Sequence, residues 1–357
     1  MSVFGRVAVP LKSRSYDIVV GSGLLADTGK LLKDVISRPR TAVVTDANVA
    51  DLYLADIAKS MNDSHIAFSE IILPPGEQTK SFDGLMELAD QLLSARIERG
   101  DTIIALGGGV VSDLAGFSAA TFMRGCKWAS VPTSMLAMVD ASIGGKTGFD
   151  LPQGKNLVGA FYPPSFVLSD PNVLTSLPAR ELRAGMAEVV KHGVIADKEL
   201  FDLCAKGWKP VTETLAELVR RGMAVKVKVI EEDPYEQGER AALNFGHTVG
   251  HAVEVVSNFD LLHGEAIAIG MIAEARLAER LSIADDGFAD TIKEVLFGLN
   301  LPVHIPENLS QDQIILAMNK DKKKSNGLVR FALPVRIGQT RIGVEINNLG
   351  SVLEERK

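Results

Sequence analysis

Short apolar runs alternate with stretches of helical periodicity through the first half of the chain. Thr41-Ala-Val-Val-Thr-Asp46 reads as a buried strand ending in a polar turn. From Phe82 to Arg99, the residues Leu85, Leu88, Leu92, Leu93 and Ile97 recur at helical spacing, and Gly100 predicts the stop. Thr102-Ile-Ile-Ala-Leu106 is a second apolar strand that runs straight into Gly107-Gly108-Gly109. Trp128 to Pro132 and Phe166 to Asp170 read as further strands. This βαβ rhythm predicts an α/β domain with a mostly parallel sheet and helices on its faces.

The texture changes at Pro178. Helices are predicted over Ala179 to His192, Val211 to Glu232, Phe245 to Val256, Gly264 to Leu281 and Phe288 to Phe297, the last closed by Gly298. Val225-Lys226-Val227-Lys228-Val229 also has period two, so a strand competes with a helix there. Leu328 to Pro334 and Thr340 to Val344 predict a small hairpin. No internal repeat or low-complexity tract is present. Pro178 suits the start of a helix, which sets the expected boundary: one domain over 1–178, and over 179–357 an all-α domain but for the hairpin. Ligands of open parallel sheets bind beyond the strand C-termini, so the active site is expected in the cleft between the domains.

Composition narrows the class. A hydrophobic fraction of 46% and a charged fraction of 23% over 357 residues suit a soluble enzyme with sizeable cores. A net charge of -7 argues against nucleic acid or acidic membranes as partners, so any anion site must be a local basic pocket. Cys126 and Cys204 form no disulfide framework and no thiolate cage, which suits a reducing, cytoplasmic setting. The opening residues lack the basic-then-apolar pattern of a signal peptide, and no window is apolar enough to span a bilayer.

Three of the six histidines fall in one stretch: His247 and His251, four apart and so on one helical face, then His263 at the start of an alanine- and isoleucine-rich run. They can converge on a metal ion or an anionic substrate, or be satisfied in a polar seam. Glu188 lies among apolar and small residues on a core-like helix, where a carboxylate must be paired or bound to metal. With His247 and His263 it would make a two-histidine, one-carboxylate set with an open fourth position, the catalytic pattern for zinc that also admits cobalt, manganese or iron. Pairing with Lys191 or His192 on its own helix is the other reading.

Gly107-Gly108-Gly109-Val110-Val111-Ser112-Asp113 follows a strand and opens a helix, the setting of a phosphate-cradling turn or of a plain βα turn. Ser112 stands where the dinucleotide fingerprint has its last glycine. Pro75-Gly76-Glu77-Gln78-Thr79-Lys80 is a polar loop able to meet a ribose or adenine, or an ordinary surface loop. Gly144-Gly145-Lys146-Thr147 resembles a Walker A end, but Asp140 occupies the place of its first glycine, so a P-loop is disfavoured. Asp140, Lys146, Lys155 and Asn156 remain as a loop set for a phosphate or polyhydroxyl ligand, or as solvated side chains. Among the other cations, Arg124, Lys226 and Arg240 are candidates, while Lys228 and Lys324 read as solvated.

These motifs, taken in order, resemble the 3-dehydroquinate synthase family over nearly the whole length. The resemblance is carried by Gly107 to Asp113, Phe122-Met123-Arg124-Gly125 and Val131-Pro132-Thr133-Ser134. It continues through Val139-Asp140 to Thr147, Gly154-Lys155-Asn156 to Phe161, Ala187-Glu188-Val189-Val190-Lys191, Leu243-Asn244-Phe245-Gly246-His247, His251, His263-Gly264-Glu265 and Asp321-Lys322-Lys323. The resemblance implies a Rossmann-like NAD-binding N-terminal domain, a helical metal- and substrate-binding C-terminal domain and a homodimer. It implies one divalent ion, zinc or cobalt, on Glu188, His247 and His263. NAD contacts would come from Asp46, Glu77, Gln78, Lys80, Gly109, Val110, Val111, Ser112, Asp113, Thr133, Ser134, Lys146 and Lys155. Substrate contacts would come from Arg124, Asp140, Lys146, Asn156, Lys191, Lys226, Arg240, Asn244, His251 and Lys323. The implied reaction converts 3-deoxy-D-arabino-heptulosonate 7-phosphate to 3-dehydroquinate and phosphate by transient oxidation, elimination, reduction and aldol closure. Other sugar-phosphate cyclases and metal-dependent NAD alcohol dehydrogenases, in some of which His192 would have a ligand counterpart, share the two-domain plan. The many cations exceed what a simple alcohol needs. Ser112, Ser134 and Pro234-Tyr235 depart from the family's usual residues, which touches the detail of the NAD loop.

Overall fold

Uninterrupted apolar runs become strands where both faces of a sheet are covered, and Thr102–Gly107 is buried at every residue. The computed structural model describes residues 2–11, 15–36, 40–236, 238–322 and 328–354. The chain divides into two compact units, Met1–Leu177 and Pro178–Lys357. The first unit holds strands β1 (Ser2–Val9), β2 (Tyr16–Ser22), β3 (Arg40–Asp46), β4 (Ala67–Leu73), β5 (Thr102–Gly107), β6 (Lys127–Pro132), β7 (Lys146–Leu151), β8 (Gly154–Phe161) and β9 (Phe166–Ser169). Its helices are α1 (Thr28–Leu32), α2 (Ala47–Val49), α3 (Ala55–Asp63), α4 (Phe82–Ser94) and α5 (Gly109–Thr121). Seven strands form one sheet in the order β1-β2-β9-β6-β5-β3-β4, parallel except for the β1–β2 pair. The α/β expectation with a mostly parallel sheet holds.

The second unit contains helices α6 (Ala179–Ala196), α7 (Lys198–Cys204), α8 (Trp208–Thr212), α9 (Leu215–Glu232), α10 (His247–Val256), α11 (His263–Arg280), α12 (Phe288–Gly298) and α13 (Gln311–Lys322). The predicted hairpin is present as β10 (Val329–Arg336) and β11 (Gln339–Ile346), paired antiparallel. Its core joins Val249 and Val253 of α10 and Ile269 and Leu277 of α11 to Ile314, Met318, Phe331 and Leu333. Among the described residues, no helix is long and apolar enough to cross a membrane.

Several local expectations are corrected. The helix predicted to Arg99 ends at Ser94, because Arg96 takes a left-handed φ of 55° and Ile97 packs back into the core from the following turn. The helix predicted over Val211 to Glu232 is two, α8 and α9, broken at Glu213 and Thr214. Val225 to Val229 is helical despite its period of two, which leaves Lys226 buried and Lys228 exposed. The loop expected around Lys146, Lys155 and Asn156 is the antiparallel hairpin β7–β8, with Asn156 at a positive φ of 56°. Asp140 lies on a π-helical turn, Ala137–Ala141, rather than in a loop.

Candidate active site

The glycine-rich turn of the first unit joins β5 to α5. Thr133 donates its N–H to the Gly107 carbonyl at 3.0 Å, which holds the loop after β6 beside it. A Cβ on Gly107 would stand 2.6 Å from the Val111 Cβ, so the turn admits no side chain there. The N-cap residue, Gly108, makes no side-chain cap, which leaves the first amides of a 13-residue helix open to an anion. Val111 is a core side chain at 1% exposure and can offer only its backbone. The Ser112 hydroxyl donates to the Gly109 carbonyl at 3.1 Å, and the Ser134 hydroxyl accepts from Ala137 N–H at 3.2 Å. Asp46, at the end of β3, accepts from Val49 N–H at 3.1 Å and so caps α2.

Beside this turn, Lys80 is buried and its ammonium lies 2.6 Å from the Asp113 carboxylate; it also donates to the Asn156 amide oxygen. Burial pushes the Asp113 pKa up to about 6, against the pull of Lys80, while Glu77 and Asp150 add to the rise. Lys155 stands 3.5 Å from the exposed Glu77, and Asp150 accepts from the Asn156 N–H at 2.7 Å. Gln78, Arg124 and Lys146 are exposed, and Asp140 is half-buried. The structure therefore gathers Glu77, Lys80, Asp113, Lys155 and Asn156 into one polar network and leaves Gln78 outside its hydrogen bonds.

In the second unit, α6 buries Glu188 completely, and its oxygens make no well-formed hydrogen bond. Instead, Oε1 lies 3.5 Å from His247 Nε2 and 3.4 Å from His263 Nε2, and Lys191 is its ion-pair partner. Both expected uses of Glu188, pairing on its own helix and convergence with the two imidazoles, are realised together. Burial raises the Glu188 pKa, but Lys191, then His247 and His263, outweigh it and hold the carboxylate well below its usual range. Burial, with Lys191 adding to it, keeps His247 well below the ordinary imidazole value. Burial also lowers His263, but the carboxylates of Glu188 and Glu254 outweigh it and lift it to about 9. His251 is exposed, with its ring 5.0 Å from that of His247 and 5.6 Å from that of His263. One nitrogen from each of the three imidazoles lies within 4.8 Å of the other two.

Elsewhere in this unit, Lys226 is buried on α9, and Arg240, 1% exposed, donates to the Pro234 carbonyl at 2.7 Å. Asn244 is exposed and donates to Glu236 at 3.1 Å. His192 is fully buried on α6. Lys323 lies outside the described residues. Glu254 and Glu274 are among the carboxylates that carry no role in the sequence reading. Glu254 of α10 lies 3.3 Å from His263 Nδ1. Glu274 of α11 accepts from Gly246 N–H at 2.7 Å and Val249 N–H at 3.1 Å. The sequence signal for Glu274 is faint: a lone acid at helical spacing from Ile267, Gly270, Met271 and Ala278.

A mostly parallel α/β unit followed by a helical unit is the fold of solved sugar-phosphate cyclases. A 2-epi-5-epi-valiolone synthase from Streptomyces hygroscopicus, solved with NAD+ and Zn2+ bound, matches with a TM-score of 0.88 at 30% identity, over 96% of each chain. A 2-deoxy-scyllo-inosose synthase matches with a TM-score of 0.87 at 24% identity over 98% of each chain, which speaks for the fold alone. The family models for the 3-dehydroquinate synthase N-terminal and C-terminal regions match residues 70–184 and 185–324. A curated 3-dehydroquinate synthase of Mesorhizobium japonicum is 44% identical over 95% of this chain and 93% of its own. The chain belongs to the 3-dehydroquinate synthase family.

Proposed function

We propose that the chain catalyses the reaction of its family, taking 3-deoxy-D-arabino-heptulosonate 7-phosphate to 3-dehydroquinate and inorganic phosphate as a carbon–oxygen lyase. The observation that carries this reading is the buried Glu188 carboxylate facing His247 and His263 in such a chain. Residues 1–178 form the NAD-binding domain in this reading, and residues 179–357 the metal- and substrate-binding domain.

The residues present fit both implied groups. Two imidazoles and a carboxylate without well-formed hydrogen bonds make a nitrogen- and oxygen-donor set suited to one zinc or cobalt ion, held by Glu188, His247 and His263. The uncapped start of α5 suits the pyrophosphate of NAD, met by the backbone of Gly109, Val110 and Val111, with Thr133 and Ser134 alongside and Asp46 near the ribose. When bound, the ion supplies Lewis acidity toward a substrate hydroxyl, and NAD supplies a reversible hydride acceptor.

The chain's own side chains do the rest. Glu254 accepts from His263 Nδ1 and so turns Nε2 toward Glu188. Lys191, against Glu188, offsets the charge of that carboxylate and keeps it ionised. His251, exposed beside His247, moves a proton at a substrate oxygen. Lys226, Arg240 and Asn244 bind the carboxylate and hydroxyls, and Arg124 and Lys146 the phosphate, as charge-assisted donors. Lys80 orders Asp113 and Asn156 for the nicotinamide side.

The same reading has the protein working in the cytoplasm as a homodimer. Cys126 and Cys204, both buried free thiols, support the reducing compartment. Ile72 on the edge strand β4 and Phe82, Met86 and Leu93 on α4 are exposed apolar side chains of the kind a dimer buries. The direct test is identification of the product: the purified chain with the heptulosonate phosphate should release one phosphate per carbocycle. A chelator should abolish turnover, and zinc or cobalt should restore it. Turnover without a carbocyclic product would overturn the reading.

A further inference from the structure

Glu274 lies on α11 at 0% exposure, one turn beyond Gly270 and far along the helix from His263. Both of its oxygens go to backbone. Oε2 accepts from Gly246 N–H at 2.7 Å and Oε1 from Val249 N–H at 3.1 Å. Val249 is in the first turn of α10, whose amides have no partner within the helix. The α10 N-cap is Gly246 itself, in the left-handed region at φ 81° and with no side chain, so it cannot satisfy them. The cap comes from a neighbouring helix instead.

Between the two capped amides lie His247, the first residue of α10, and Thr248. The His247 ring faces Glu188 at 3.5 Å and has its centroid 5.4 Å from that of His263. The backbones of α10 and α11 touch here. A Cβ on Gly270 would stand 2.0 Å from the Gly246 carbonyl oxygen, and a Cβ on Gly250 would stand 2.7 Å from the Ile267 Cδ1. Glycine contacts fix how closely two helices approach, but they resist rotation and sliding weakly. Two directed N–H···O bonds at one end supply that missing restraint.

We propose that Glu274 is a positioning residue of the metal site, which pins the start of α10 to α11 and so fixes His247 against Glu188 and His263. This rests on the reading of those three residues as metal ligands. Glu254 reaches from α10 to His263 on α11, and Glu274 reaches back from α11 to the start of α10, so the two ligand-bearing helices hold each other. Glu274→Gln retains the volume and one acceptor but turns an N–H group toward a backbone N–H. Glu274→Ala removes both acceptors.

The test measures zinc affinity by competition with a chromophoric chelator and the visible spectrum of the cobalt-loaded protein. Leu277→Ala, 2% exposed on the same helix, serves as the destabilised control. Glu274→Gln should weaken zinc binding about tenfold or more and shift the cobalt spectrum, as loss of groups that orient ligands does. The Leu277→Ala protein should melt earlier, yet keep zinc affinity within about threefold and an unchanged spectrum. Wild-type affinity and spectrum in Glu274→Gln would overturn the proposal, as would equal losses in Leu277→Ala. A second measurement needs no variant: zinc should slow hydrogen exchange at Gly246 and Val249 more than at the amides of α12. Uniform slowing would also overturn it. A wild-type chain that binds no ion would overturn the ligand assignment itself, a result distinct from either.

Discussion

Lys191 and the two imidazoles surround a carboxylate that has no solvent, so each residue's role can be separated by what it leaves behind when removed. His247→Ala should lower zinc affinity by about tenfold or more, because two remaining ligands hold an ion weakly. His251→Ala should keep its zinc and lose about a hundredfold in kcat, the scale of one lost proton-transfer group. Metal content and rate measured on the same preparations check both. Loss of zinc from the His251→Ala protein would assign the three-histidine set that the mutual 4.8 Å spacing also permits. Asp113 gives a pH prediction. Its folded pKa of about 6 exceeds the unfolded value of 3.8, so the folded chain holds this proton more tightly. Its contribution is complete below the unfolded value and is lost as pH rises through about 6, by at most roughly 3 kcal/mol. Urea unfolding across that window should show the wild type losing stability relative to Asp113→Asn as pH rises. Parallel curves would place the charge in solvent.

Elements built from one periodicity were readable in the sequence, and those set by a partner were not. β3, β5, β6, β9 and α12 follow from apolar runs and glycine stops, because local pattern and burial agree there. Lys226 breaks the pattern: flanking valines suggest a strand, yet the residue sits buried on a helix, which only a tertiary environment allows. Arg96 ends α4 early through a left-handed turn that carries no distinctive residue type. The histidine cluster and Glu188 were legible because buried charge at apolar positions is conspicuous. Glu274 was not, because a bond to a distant backbone amide leaves no spacing in the sequence. The crossing of α10 and α11 yields a prediction of its own. Gly270→Ala puts a methyl 2.0 Å from the Gly246 carbonyl, and backbone must move, at about 1–3 kcal/mol or more. At Gly298, the nearest atom to a new Cβ is 3.9 Å away, so Gly298→Ala should be neutral or stabilising by about 0.5–1 kcal/mol. Thermal melting of the two variants should differ accordingly, and zinc affinity should fall only in the first.

For the molecule as a whole, the family relation spans both units, since the matched regions run from residue 70 to residue 324. In the proposed reading the turn at α5 and the cluster around Glu188 serve one reaction, whose atom balance supplies the sharpest test. The heptulosonate phosphate equals dehydroquinate plus phosphoric acid, with no oxidant gained or lost. Any hydride removed from the substrate must return before product leaves, so NAD acts as a catalyst and not as a reagent. A small amount of NAD+, far below the substrate concentration, should support complete conversion once zinc or cobalt is present. Phosphate should appear in step with the carbocycle, while absorbance of reduced nicotinamide stays at no more than one equivalent per active site. An alcohol dehydrogenase with the same two-unit plan gives the opposite result: NADH rises with each product molecule and the phosphate ester survives. Stoichiometric NADH with intact ester would overturn the proposed reaction while leaving the fold and the arrangement of Glu188, His247 and His263 as they stand.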